Sequence, residues 1–216
     1  MKTSFLIRLS TLAILMCSTF QVHSLELQAK APSEFIIYQV KKSVENEDIM
    51  NLYRFHDIQV AKLNFSGVGL IGKNYRLFVQ EIKAGKPLPR VQLFDSREDE
   101  YFKIKDQELN FSVLAKHIAG KKVRFDFRFL GFGLTREFPV KTHYGEFALQ
   151  IPENTGEFNS LPLSKPIYVL NFTQPQTETA SKKRYANFDP SLTDPLELGK
   201  IKRIPTYFLI SIEFSE

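Results

Sequence analysis

Residues 122–140 read KVRFDFRFLGFGLTREFPV, and their phase decides the fold. Val123, Phe125, Phe127 and Phe129 alternate with Arg124, Asp126 and Arg128. A period of two puts four apolar side chains on one face and three charges on the other. A strand with one face on a core and one in water uses that pattern. The phase then slips, because Leu130, Phe132, Leu134, Phe138 and Val140 are even-numbered. A one-residue slip turns the apolar set to solvent unless the strand bulges or reverses, and Gly131 and Gly133 mark where it does.

Composition agrees. The chain holds 20 Phe and 8 Tyr but no Trp and only 10 Gly. Aromatic residues are those that pack well on a pleated, half-buried surface.

Working outward, further strands are expected at Glu34–Lys41, Asp57–Phe65, Arg76–Gln80, Arg90–Phe94, Tyr101–Lys105 and Glu108–Val113. Gly145–Ile151, Pro166–Thr173 and Thr206–Phe214 complete the set. Two short helices are expected. Asn46 caps the first, with Glu47 and Asp48 in its opening turn and Ile49, Leu52 and Tyr53 as its apolar stripe. The second is a single turn, Leu114–Ala119, that carries His117 and is stopped by Gly120. Short strands punctuated by turns predict an all-β, antiparallel two-sheet β-sandwich with at most two short helices, jelly-roll or elaborated immunoglobulin-like.

The amino terminus reads as a leader. Lys2 and Arg8 precede an apolar run, Leu9–Phe20, too short to span a bilayer, and Val22-His23-Ser24 suits cleavage after Ser24. The expected organisation is a signal peptide over 1–24 and one sandwich over 25–216. The alternative is two tandem sandwiches over 25–139 and 144–216. Lipid anchoring at Cys17 stays open, although Ile14-Leu15-Met16 lacks a small residue before it. Without Lys2 and Arg8, 27 of the 29 basic side chains remain against 24 acidic ones. That excess is too small to argue for nucleic acid. Loss of the single Cys leaves no disulfide, so an exported domain must rely on its core. The expected location is the periplasm or surface of a bacterium, or secretion, with no transmembrane segment after cleavage.

Gly67-Val68-Gly69-Leu70-Ile71-Gly72 matches G-x-G-x-x-G after a strand, and Asp95 lies 23 residues beyond. A dinucleotide site needs a helix opening at the last glycine. Arg76–Gln80 serves equally as a strand, so the glycines read as a turn and no cofactor is expected. Asp95, Glu98, Asp99 and Glu100 could supply oxygen ligands to calcium, but Arg97 stands among them and no glycine shapes the loop. A solvated turn between strands is the simpler account. Leu-Asn-Phe-Ser/Thr occurs three times, at Leu63, Leu109 and Leu170, with unequal spacing. Asn64, Asn110 and Asn171 are formally N-glycosylation sites, read here as strand ends. His56, His117 and His143 form no metal-ligand spacing, and no nucleophile elbow or phosphate loop occurs.

Gln174–Pro205 is far longer than an ordinary connection. Lys182, Lys183, Arg184, Tyr185 and Phe188 place cations beside aromatics, which suits contact with a glycan or peptide. A surface excursion with its aromatics tucked against the sandwich is the alternative. The sequence thus supports an exported, non-catalytic envelope binding protein with a protein or glycan partner. A glycan-directed hydrolase and a structural subunit joined through a sheet edge are the other two readings.

Overall fold

The computed structural model describes residues 35–42, 44–140, 147–152, 160–176, 185–186 and 194–216. Residues 1–34, residues 141–146 with His143, and Lys182, Lys183, Arg184 and Phe188 lie outside the described residues. No helix among those described is long and apolar enough to cross a membrane.

Two six-stranded antiparallel sheets face each other. Sheet I holds β1 (Phe35–Lys41), β2 (Gln59–Ser66), β6 (Glu108–Ile118), β7 (Lys122–Phe129), β8 (Gly133–Pro139) and β10 (Ser160–Pro162). Its order is β10-β1-β2-β6-β7-β8. Sheet II holds β3 (Asn74–Lys83), β4 (Lys86–Pro87), β5 (Val91–Asp95), β9 (Ala148–Gln150), β11 (Ile167–Thr173) and β12 (Thr206–Ser215). Its order is β4-β3-β12-β11-β9, with β5 also on β3. Both sheets draw on both halves of the sequence, since β10 pairs with β1 and β12 pairs with β3 over its whole length.

The organising stretch folds as its phase demands. Val123, Phe125 and Phe127 are fully buried. The chain then reverses through Leu130–Phe132, with Gly131 at φ 89° and the Phe129 N–H donating to the Phe132 carbonyl at 2.9 Å. β8 returns with Leu134 opposite Phe127 and Phe138 opposite Val123, so the even-numbered apolar set meets the same core. Tyr38 ties the layers together. Its hydroxyl, buried in sheet I, donates to the Val169 carbonyl of sheet II at 2.6 Å.

Three local expectations are corrected. Leu114–Ala119 is not helical: β6 continues through Ile118, because Val113 and Ala115 still alternate inward and His117 pairs with Val123. The reversal falls at Gly120 and Lys121, with φ of 81° and 56°. Tyr101–Lys105 is not a strand, since two short 3-10 turns occupy Ser96–Glu98 and Glu100–Phe102. The Asp95 and Asp99 carboxylates accept from the Arg97 and Tyr101 N–H groups, and this local bonding competes with a ladder. Helix α1 (Glu47–Phe55) keeps its Asn46 cap, yet none of its residues is buried, and Leu52 and Phe55 stand in solvent.

The repeated asparagines lie inside ladders rather than at strand ends. Leu63–Ser66 pairs antiparallel with Glu108–Phe111, which sets Asn64 directly opposite Asn110, bonded amide to amide at 2.6 Å. Asn171 is fully buried in β11, with neither amide atom hydrogen-bonded.

Candidate functional site

The aromatic surplus gathers at one end of the sandwich. β7 stops at Phe129, opposite Phe111, while β6 starts three residues earlier, at Glu108. The space left beside the start of β6 is closed on one side by the β7–β8 turn and on the other by residues 101–106. The result is a cleft of about 470 Å³. Its walls carry Phe102, Phe129, Phe132, Leu109 and Leu130, and its polar groups are Tyr75, Asp106, Glu108 and Asn110.

Ring packing fixes the floor. Phe129 and Phe132 stack in parallel at 4.5 Å, Phe111 lies 4.8 Å from Phe129, and Phe102 meets Phe132 at 4.8 Å. Each such pair adds about 0.5–1.5 kcal/mol beyond burial, so the floor is preorganised. The mouth is open. Tyr101 is 63% exposed and Leu130 95%. The Tyr101 hydroxyl reaches across to the turn, where a Cβ placed on Gly131 would meet it at 3.2 Å. Lys105 Nζ stands 5.6 Å from the Tyr101 ring centroid.

The polar groups differ in kind. Asp106 and Glu108 stand exposed on the rim, and Glu108 Oε2 accepts from Asn110 Nδ2 at 3.1 Å. Tyr75 is 2% exposed, and burial pushes its hydroxyl pKa well up. Among the described residues no group donates to or accepts from that hydroxyl.

Of the residues expected from the sequence to bind a glycan or peptide, only Tyr185 lies among the described residues. Tyr185 is half-buried and engaged, and Ala186 is buried with Leu198, Ile204, Tyr207 and Leu209 against the outer face of sheet II. Its neighbours Lys182, Lys183, Arg184 and Phe188 lie outside the described residues. The calcium candidates do not converge. Arg97 grips the Asp95 carboxylate through two nitrogens at 2.9 and 2.5 Å, Asp99 caps a turn, and Glu100 pairs with Lys103 at 3.3 Å. Among the described residues no group of three His, Cys, Asp or Glu side chains could hold a metal ion. The glycine run forms a 3-10 turn, Val68–Leu70, and leads into β3 rather than into a helix.

The Arg97 grip holds the Asp95 carboxyl below the usual carboxylate range, chiefly through the side-chain hydrogen bonds. A depressed folded-state pKa contributes stability above the unfolded value, near 3.9, and that contribution is lost as pH falls through the folded value. Asp95→Asn is therefore expected to flatten the acid limb. Its urea midpoint should fall less than that of the wild type between about pH 5 and pH 2. An equal fall in both proteins would remove Asp95 from the account.

The cleft residues were missed in the sequence because they come from four separated segments. One signal was available. Leu130 and Phe132 occupy a hairpin turn, where polar residues are usual. No family model, curated protein or solved structure matches this chain.

Proposed function

We propose that this chain is a non-catalytic binding module of the bacterial envelope, exported through its amino-terminal leader, and that the end cleft takes a sugar ring of an envelope glycan. The observation that carries the reading is the cleft itself, walled by stacked rings and edged by the polar groups of Tyr75, Asp106, Glu108 and Asn110. Sugars have an apolar C–H face that stacks on rings such as Tyr101 and Phe132, and hydroxyls at the edge that bond to Tyr75, Asp106, Glu108 and Asn110. A concave, mostly apolar site with a few polar groups is the usual form of a small-ligand site. Its place on the loops at one end of a rigid sandwich is equally usual.

Two carboxylates in the cleft favour the hydrolase as the second reading. Glycoside cleavage needs one of the pair protonated near neutrality, which desolvation ordinarily provides. Asp106 and Glu108 are both in water on the rim, so the arrangement suits hydroxyl recognition better than proton donation.

The test is calorimetric titration with N-acetylated amino-sugar oligomers, the commonest ring chemistry of bacterial envelopes. Tyr75→Phe and Tyr101→Ala are each expected to weaken binding about tenfold, the equivalent of about 1.4 kcal/mol. Binding that both variants leave intact would move the site away from this cleft. Reducing sugar released from the same oligomers, and abolished by Glu108→Gln, would favour the hydrolase.

A further inference from the structure

The outer face of sheet I carries like charges where a free-standing sheet would avoid them. Lys41 on β1 lies directly opposite Lys62 on β2, and Lys116 on β6 directly opposite Arg124 on β7. Side chains at directly opposed positions share a face about 4.5–5.5 Å apart at Cβ, and like charges placed so are destabilising. Alternation turns all four outward, since Val40, Leu63, Ala115 and Phe125 face the core. Arg124 is held by Glu137 and Arg128 by Asp126, but among the described residues Lys41, Lys62 and Lys116 have no carboxylate partner.

These charges belong to an ordered pattern. Lys62 lies opposite Ser112, and Ser112 opposite Arg128, so Lys41, Lys62, Ser112 and Arg128 form one row across four strands. With strands about 4.8 Å apart, that row is about 14 Å long. The adjacent row is Gln39, Asn64 and Asn110, all amides. Neither row contains a large apolar side chain. Beside the Lys116–Arg124 pair a shallow pocket of about 140 Å³ opens over Ile58 and Leu114. The small net charge of the chain conceals this segregation, because four acids are concentrated in Asp95–Glu100.

We infer that this face binds an acidic polysaccharide lengthwise across the strands, its carboxylates on the cationic row and its hydroxyls on the amide row. Bound anions relieve the repulsion between the opposed cations, which accounts for a sheet face that is unfavourable when bare. A lipid surface fits less well, as the two rows offer nothing to insert among acyl chains. The inference does not rest on the cleft: Asn110 borders both, but the cationic row lies on the outer face of sheet I and Tyr101 belongs to the cleft alone.

The experiment is affinity electrophoresis of the full chain in gels containing polygalacturonate, with neutral dextran as reference. The wild type should be retarded by polygalacturonate alone, and less so as salt is raised. Lys62→Glu combined with Lys116→Glu should weaken that retardation at least tenfold. Its thermal midpoint should stay unchanged or rise, because two like-charge oppositions are removed. Tyr101→Ala, which alters only the cleft, should be retarded like the wild type, so the two sites fail separately. Equal retardation of the double variant and the wild type would overturn the inference. So would absence of retardation in polygalacturonate, or binding to phosphatidylglycerol vesicles without binding to polygalacturonate.

Discussion

Phe125→Ala is expected to lower the unfolding free energy by about 3–5 kcal/mol, the largest loss for any single truncation in this core. The ring is fully buried in the middle of β7 and touches Phe138 of its own sheet at 5.9 Å. It also meets Phe172 and Phe208 of sheet II edge to face, at 5.3 and 5.6 Å. One side chain therefore bridges both layers, and its removal opens a void bounded on two sides by ladders that cannot close in. Domains of this kind have only about 5–15 kcal/mol to lose. Urea unfolding followed by circular dichroism should show a midpoint shifted far below that of the wild type. A loss under about 1 kcal/mol would mean that the sheets can slide together, and that the core is not organised around this strand.

That strand was also the most legible part of the sequence, for the same physical reason. Where one face of a ladder is buried and the other wet, period two writes itself into the residues, as in β7 and in Leu109–Ala115 of β6. Legibility fails where burial and alternation part company. β12 is buried on both faces: Phe208, Ile210 and Ile212 face sheet I, while Tyr207 and Leu209 are covered from outside by Leu198 and Ile204. Its run TYFLISI is almost unbroken, so alternation alone does not mark the two faces. The run 114–119, ended by Gly120, suggests a helical turn, although Leu114 and Ile118 are the outward members of an alternating strand. The cleft was illegible for a different cause. Tyr75, Tyr101, Glu108 and Phe132 have no shared period, and only the unequal lengths of β6 and β7 bring them together.

The edges bear on the structural-subunit reading. The outermost strand β8 places Arg136 opposite Phe125, and hence towards the interior face, and closes on Pro139. An inward-facing charge and a proline are devices that block addition of a further strand. Among the described residues the edge strands β10 and β9 are three residues each, short templates for a partner, and the remaining edge of sheet II is made by β4 and the five-residue β5 on β3.

The second large effect concerns the cover over sheet II. Tyr207→Phe is expected to loosen residues 194–205 at a cost of about 1–3 kcal/mol, the penalty for leaving buried groups unpaired. The Tyr207 hydroxyl donates towards the Pro195 and Leu196 carbonyls at 2.8 and 3.0 Å and accepts from the Gly199 N–H at 3.1 Å. Three backbone groups of one segment thus depend on a single side chain, and Gly199 beside it is itself buried. Lys200 in helix α2 (Leu198–Ile201) and Lys202 and Arg203 just after it are exposed, so limited trypsin digestion reads the opening directly. The variant should be cut there several-fold faster than the wild type. Burial pushes the Tyr207 pKa up to about 12, whereas an unfolded tyrosine ionises near 10. This raised value contributes stability that is whole below pH 10 and declines as pH rises towards 12. The variant should therefore lose less stability than the wild type over that interval. Equal trypsin rates in the two proteins would show that apolar contact of Leu198 and Ile204, not the hydroxyl, holds the cover down.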